Sequence, residues 1–172
     1  DVQTKLVNLI PHHARLIWNI GRLLDAAKAL GVTAAATEQY PQGLGGTVPE
    51  LAARLGAIPD KVRFSCGGCA DFADVFRQSE VTTWLVVGIE THVCVQQTVF
   101  DLLTAGARVH VAVDAVGARY AIDHDTALRR LDSAGATLTT TEAALFEWCE
   151  TSTDPAFKTI SKLVQQSPPE SA

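Results

Sequence analysis

Hydrophobic positions recur along this chain in two alternating rhythms. Over residues 12–30, Leu16, Ile17, Ile20, Leu23, Leu24 and Ala27 fall three and four apart, the spacing that gathers them on one stripe of a helix. Gly31 follows, in the position favoured just past a helix end. Beyond it, short apolar runs alternate with further helical patterns. The runs at 32–37, 61–65, 82–87, 109–113 and 136–139 predict strands, and the periodic segments at 48–55, 70–78, 123–133, 142–149 and 155–164 predict helices. Another helix follows Cys94, with Val95, Val99, Leu102 and Leu103 as its stripe and Gly106 closing it. The run at 82–87 is nearly all apolar, which predicts a strand covered on both faces. Strands alternating with helices predict right-handed βαβ crossovers and a parallel sheet with helices on both sides. The pattern has one gap: no strand precedes the first helix. A first strand of roughly four to six apolar residues is expected upstream of Asp1. Residues 1–166 read as a single domain and 167–172, beginning near Pro168 and Pro169, as a tail.

Ligands of parallel sheets bind beyond the carboxyl ends of the strands. Four features are expected there: the Pro/Gly-rich loop at 39–46, the segment at 61–65, Cys94 and Asp114. Cys94 draws the eye first. The run Val86-Val87-Gly88-Ile89-Glu90-Thr91-His92-Val93-Cys94 passes from strand to helix, so the thiol is expected at the positive end of a helix dipole, where thiolate is favoured. A nucleophile fits that position. So does a small buried apolar residue.

Composition narrows the partners. The chain has 172 residues, 47% hydrophobic and 19% charged, enough for one domain with a sizeable core. Its 14 Lys+Arg against 19 Asp+Glu leave a net charge of −5, and no basic block interrupts the acidic balance. Nucleic acid and anionic membrane surfaces are therefore not expected as partners. No apolar run approaches the length of a membrane span. The four cysteines, at 66, 69, 94 and 149, are too few and too unevenly spaced for a disulfide framework, and point to a reducing, cytoplasmic setting.

Several segments together resemble the isochorismatase-like cysteine hydrolases, most of all the eukaryotic isochorismatase domain-containing proteins. They are Asp1-Val2-Gln3, Thr37-Glu38-Gln39-Tyr40-Pro41-Gln42-Gly43-Leu44-Gly45, Lys61-Val62-Arg63-Phe64-Ser65, Gly88 through Cys94, Val109 through Val116 and Pro155-Ala156-Phe157-Lys158-Thr159-Ile160. The resemblance implies a three-layer αβα sandwich around a six-stranded parallel sheet. It implies an Asp-Lys-Cys triad at Asp1, Lys61 and Cys94, and a cis peptide between Ile89 and Glu90. In such a site Cys94 attacks a carbonyl carbon, Asp1 takes the thiol proton and returns it to the leaving group, and Lys61 holds both charges. The backbone N–H groups of Glu90 and Cys94 would form the oxyanion hole. Gln39, Tyr40, Phe64 and Thr91 are the expected walls of the substrate pocket. Members that hydrolyse nicotinamide bind a metal through Asp and His near the second strand. The loop here has neither, so no metal and no cofactor are expected. Possession of Cys94 argues against isochorismate itself as substrate, since vinyl-ether cleavage does not need the thiol. The resemblance also implies a homo-oligomer, dimer or tetramer.

Other motifs carry less. Cys66-Gly67-Gly68-Cys69 has C-x-x-C spacing but no second ligand pair, and reads as a turn, with Cys66 near enough to Lys61 to line the pocket. His12 and His13, adjacent on a helix, point apart. His92 lies too close in sequence to Cys94 for an in-line pair, and His110 reads as a core histidine. Gly43-Leu44-Gly45-Gly46 lacks the Lys-Ser/Thr of a phosphate loop. The expectation is a metal-independent hydrolase of a small amide or acyl compound. The alternative is a non-catalytic protein using the same fold for partner binding or assembly. A ribonuclease role finds no support in the charge pattern.

Overall fold

The structure is a computed structural model that describes residues 1–72 and 81–169. Helix α1, His13–Leu30, follows the predicted stripe: Leu16, Ile20, Leu23 and Ala27 are buried, and Gly31 closes it in the left-handed region at φ 70°. Short elements follow. They are β1 (Glu38–Gln39), α2 (Pro41–Leu44), α3 (Pro49–Ala52), β2 (Asp60–Lys61) and a 3₁₀ turn at Cys66–Gly68. The chain then runs through β3 (Thr83–Ile89), a π turn (Thr91–Val95), α4 (Gln96–Thr104), β4 (Arg108–Gly117), α5 (Ala121–Ser133), β5 (Thr137–Thr139), α6 (Thr141–Cys149) and α7 (Phe157–Val164). The helix expected at 70–78 is seen at 70–72, and its remainder lies outside the described residues.

Among the described residues every strand pairing is parallel, but the strands form two sheets and not one of six. One holds β1 and β2, the other β3, β4 and β5 in that order. Two predicted strands are displaced. Residues 32–37 make no ladder, and strand structure begins only at Glu38. The strand expected at 61–65 is confined to Asp60–Lys61 and gives way to bends. The reason lies between the sheets. A slot of about 650 Å³ separates β3 from residues 32–37, floored by Ile20, Leu23 and Ala27 of α1 and reaching Asp1 at one end. β3 pairs with β4 on its other side. The slot exposes part of β3, so Trp84, Leu85, Val86 and Val87 are half-buried where full cover was expected.

The core divides accordingly. α1, α6 and α7 pack on one side, around Ile10, Leu23, Leu145 and Ile160. α4 packs on β3 and β4 on the other, around Val99, Leu102, Val111 and Leu131. β4 is longer than predicted and bulges. Its register against β3 jumps from Val86↔Val111 to Gly88↔Val116, leaving Asp114 inside the strand and not at its end. Asp114 is an anchor. Its Oδ1 accepts from the Thr141 N–H (2.7 Å) and hydroxyl (3.0 Å) at the start of α6. The Asn19 amide of α1 donates to the Asp114 carbonyl (2.7 Å) and Oδ2 (3.2 Å). No helix among the described residues is long and apolar enough to cross a membrane.

Candidate active site

Three chain segments meet at the carboxyl ends of β1, β2 and β3. The first is residues 1–5, held by backbone hydrogen bonds from Thr4 N to Gly46 O and from Lys5 N to Leu44 O. Gln3, fully buried, completes the hold: its amide donates to the Gln39 carbonyl (2.9 Å) and accepts from the Gln39 N–H (2.8 Å), as a neighbouring strand would. The second is the β1–β2 ladder, in which Gln39 and Lys61 are register partners. The third is the end of β3. Gly88 takes φ 120°, a value that suits glycine, the Ile89–Glu90 peptide is cis, and the π turn then carries Cys94 inward. Val93 N (3.0 Å) and Val95 N (3.3 Å) both donate to the Glu90 carbonyl and tighten that turn.

The result is a buried cluster of opposite charges and a thiol. Lys61 Nζ lies 2.7 Å from Asp1 Oδ2, with side-chain exposures of 0% and 3%. The same nitrogen donates to Gln39 Oε1 (2.8 Å) and to the Phe64 carbonyl (2.8 Å), and lies 3.7 Å from Cys94 Sγ. The other Asp1 oxygen accepts from the Thr37 hydroxyl at 2.8 Å, and Thr37 in turn meets the Cys66 sulfur at 3.3 Å. An ionised carboxylate only accepts, so the single Thr37 proton goes to Asp1 and the Cys66 thiol is the donor to Thr37. Among the described residues, the hydrogen bonds of the Cys94 sulfur run to Lys61 and to Gln39 (4.0 Å), so Asp1 reaches it through Lys61.

One electrostatic expectation is reversed. Burial pushes the Cys94 thiol above its ordinary range, opposed by the pull of Lys61, so the strand-to-helix position does not by itself yield thiolate. The expected pocket residues also sort themselves. Gln39 faces inward onto Lys61. Tyr40 and Phe64 turn about half of their surface to solvent. Thr91 is fully buried, with its hydroxyl 2.9 Å from His124 Nδ1, and is a tie between the π turn and α5. Cys66 does border the slot together with Asp1 and Thr37. All four cysteines are free. His110 is half-buried beside the slot, and among the described residues no three His, Cys, Asp or Glu side chains converge as metal ligands.

Sequence reasoning missed three contributors: Thr37, which holds Asp1, the Glu90–Arg119 pair, and Gln3. The nearly buried Glu90 carboxylate accepts from both the Arg119 N–H (3.0 Å) and Nε (3.1 Å), tying the cis peptide to the end of β4. Nothing in the local pattern marks Arg119. Gln3 and Thr37 stand inside the segments that carry the family resemblance, which was the available signal.

Parallel strands, flanking helices and a buried cysteine–lysine–aspartate cluster at the strand ends define a hydrolase-like α/β protein. The isochorismatase domain matches over residues 1–143, and the chain belongs to the isochorismatase family. The bovine isochorismatase domain-containing protein 2 is 39% identical over 171 residues, covering 99% of this chain and 83% of that protein. The solved structure of MAR1 ribonuclease from Caenorhabditis elegans is 40% identical with a TM-score of 0.92, covering 100% of this chain and 90% of that one. The Escherichia coli YcaC gene product, described as an octameric hydrolase of unknown specificity, shares the fold at a TM-score of 0.86 and 24% identity, over 94% of this chain and 82% of that one.

Proposed function

We propose that this protein is a cysteine hydrolase of small amides or related acyl compounds, working without metal. The observation that carries the reading is the position of Lys61 Nζ, 2.7 Å from Asp1 Oδ2 and 3.7 Å from Cys94 Sγ in a buried site. A buried ion pair beside a thiol is costly to build for packing alone. Cys94 loses its proton to Asp1, relayed through Lys61, as its sulfur adds to the carbonyl carbon. The oxyanion is held by the Glu90 and Cys94 N–H groups, worth roughly 3–4 kcal/mol per donor. Collapse expels the amine, which takes the proton back from Asp1, and leaves a thioester. Water, deprotonated by Asp1, then displaces the Cys94 thiolate and releases the acid, and the thiolate takes the proton back from Asp1.

A non-catalytic binding role is the second reading, favoured by the upward push that burial gives the thiol. A screen of small amides and esters separates the two: turnover lost in Cys94→Ala supports the hydrolase, whereas turnover retained by that variant sinks it. RNA belongs in the same screen because a relative bears a ribonuclease name, although the net charge of −5 lends it no support. The working unit is proposed to be a homo-oligomer. Val62 and Phe64 lend their carbonyls to the site while their side chains, 75% and 50% exposed, point outward as apolar surface beside it. Sedimentation equilibrium is expected to give a dimer or larger, and a pure monomer would remove that part of the proposal.

A further inference from the structure

Lys61 has more acceptors around it than protons to give. An ammonium carries three N–H donors. Three oxygens lie at full hydrogen-bond distance: Asp1 Oδ2 at 2.7 Å, Gln39 Oε1 at 2.8 Å and the Phe64 carbonyl at 2.8 Å. The Cys94 sulfur, at 3.7 Å, is the fourth neighbour. The oxygens are the nearer acceptors and take the three protons first, so the sulfur at 3.7 Å receives only a long, shared hydrogen bond from Lys61. This is the geometry of a neutral thiol, whose S–H has Gln39 Oε1 as an acceptor at 4.0 Å.

For Cys94 to ionise, one Lys61 proton must turn to the sulfur and one oxygen must release it. Asp1 is the charged partner and holds its proton most tightly. The Phe64 oxygen belongs to the backbone. Gln39 is neutral, sits on rotatable bonds and borders both Nζ and Sγ. Its own amide N–H is anchored on the Val62 carbonyl at 2.8 Å.

We propose that Gln39 is a positioning residue that controls the ionisation of Cys94 by occupying the Lys61 proton that the thiolate requires. Release of Gln39 Oε1 lets Lys61 donate to the sulfur as the thiol proton departs to Asp1 or to solvent base, and only hydrogen bonds rearrange. The proposal deepens the nucleophile reading and rests on it, yet thiol chemistry tests it without any substrate. The titratable side chains facing the sulfur are Lys61 and Cys66, with the Asp1 carboxylate behind Lys61, and substitution of Gln39 leaves all of them in place.

The experiment is the rate of Cys94 alkylation by iodoacetamide against pH, read by peptide mass spectrometry so that Cys66, Cys69 and Cys149 are scored apart. Gln39→Met keeps the length and removes the acceptor. Its midpoint is expected to fall by about one pH unit, with alkylation at neutral pH about tenfold faster. Gln39→Glu supplies a charged acceptor, and its midpoint is expected to rise. Gln39→Asn, which withdraws the oxygen but keeps an amide, is expected to move with Gln39→Met and covers the case in which that variant fails to fold. A midpoint in the folded apolar or shortened variant equal to the parent's, or above it, overturns the proposal. A lowered midpoint in a protein that turns over no amide or ester leaves the proposal standing and removes the hydrolase reading instead.

Discussion

At the scale of single residues, stability and chemistry meet in Lys61. Its charge is wholly buried and balanced by Asp1. Lys61→Met leaves that carboxylate without its counter-ion and is expected to cost about 3–5 kcal/mol in denaturant unfolding at neutral pH. Cys94 adds a pH dependence of known sign. Burial raises the thiol's pKa in the folded chain, so folding favours the neutral form. That contribution is complete below the unfolded thiol's pKa and is lost as pH rises through the folded one. Stability curves should therefore fall on the alkaline side, and less steeply in Cys94→Ala. Asp1, Lys61 and Cys94 were legible in the sequence because each stands in a segment resembling the family. Gln39 was expected as a pocket wall and turns out to hold Lys61. That difference depends on β1–β2 register, which one strand's sequence does not contain.

At the scale of elements, the long amphipathic helices were readable and the short strands were not. α1 has a repeating stripe, and its observed bounds agree with the pattern to within a residue. β1 and β2 are two residues each, too short for any period, and their pairing is enforced from outside by Gln3 and the loop it bridges. The interior place of Asp114 follows from the bulge in β4, a feature of pairing and not of one strand. From there Asp114 joins three elements. Asp114→Ala leaves the buried Asn19 amide and the Thr141 donors short of an acceptor and is expected to destabilise by about 3 kcal/mol. Urea unfolding measures it, and Asp114→Asn, which keeps an acceptor, should recover part of the loss.

At the scale of the whole molecule, the apolar slot governs the architecture. Its walls are β3 and residues 32–37, and its end opens on Asp1. An extended apolar segment laid there would cover the slot's apolar lining. A version of the chain carrying about five apolar residues ahead of Asp1 is thus expected to melt at a clearly higher temperature than residues 1–172, and an equal melting temperature would count against it. The slot also bears on colloidal behaviour. Its lining is mostly apolar, and apolar surface of that extent left open to water is surface on which other chains settle. Whatever fills that space decides whether the molecule remains dispersed or recruits its neighbours.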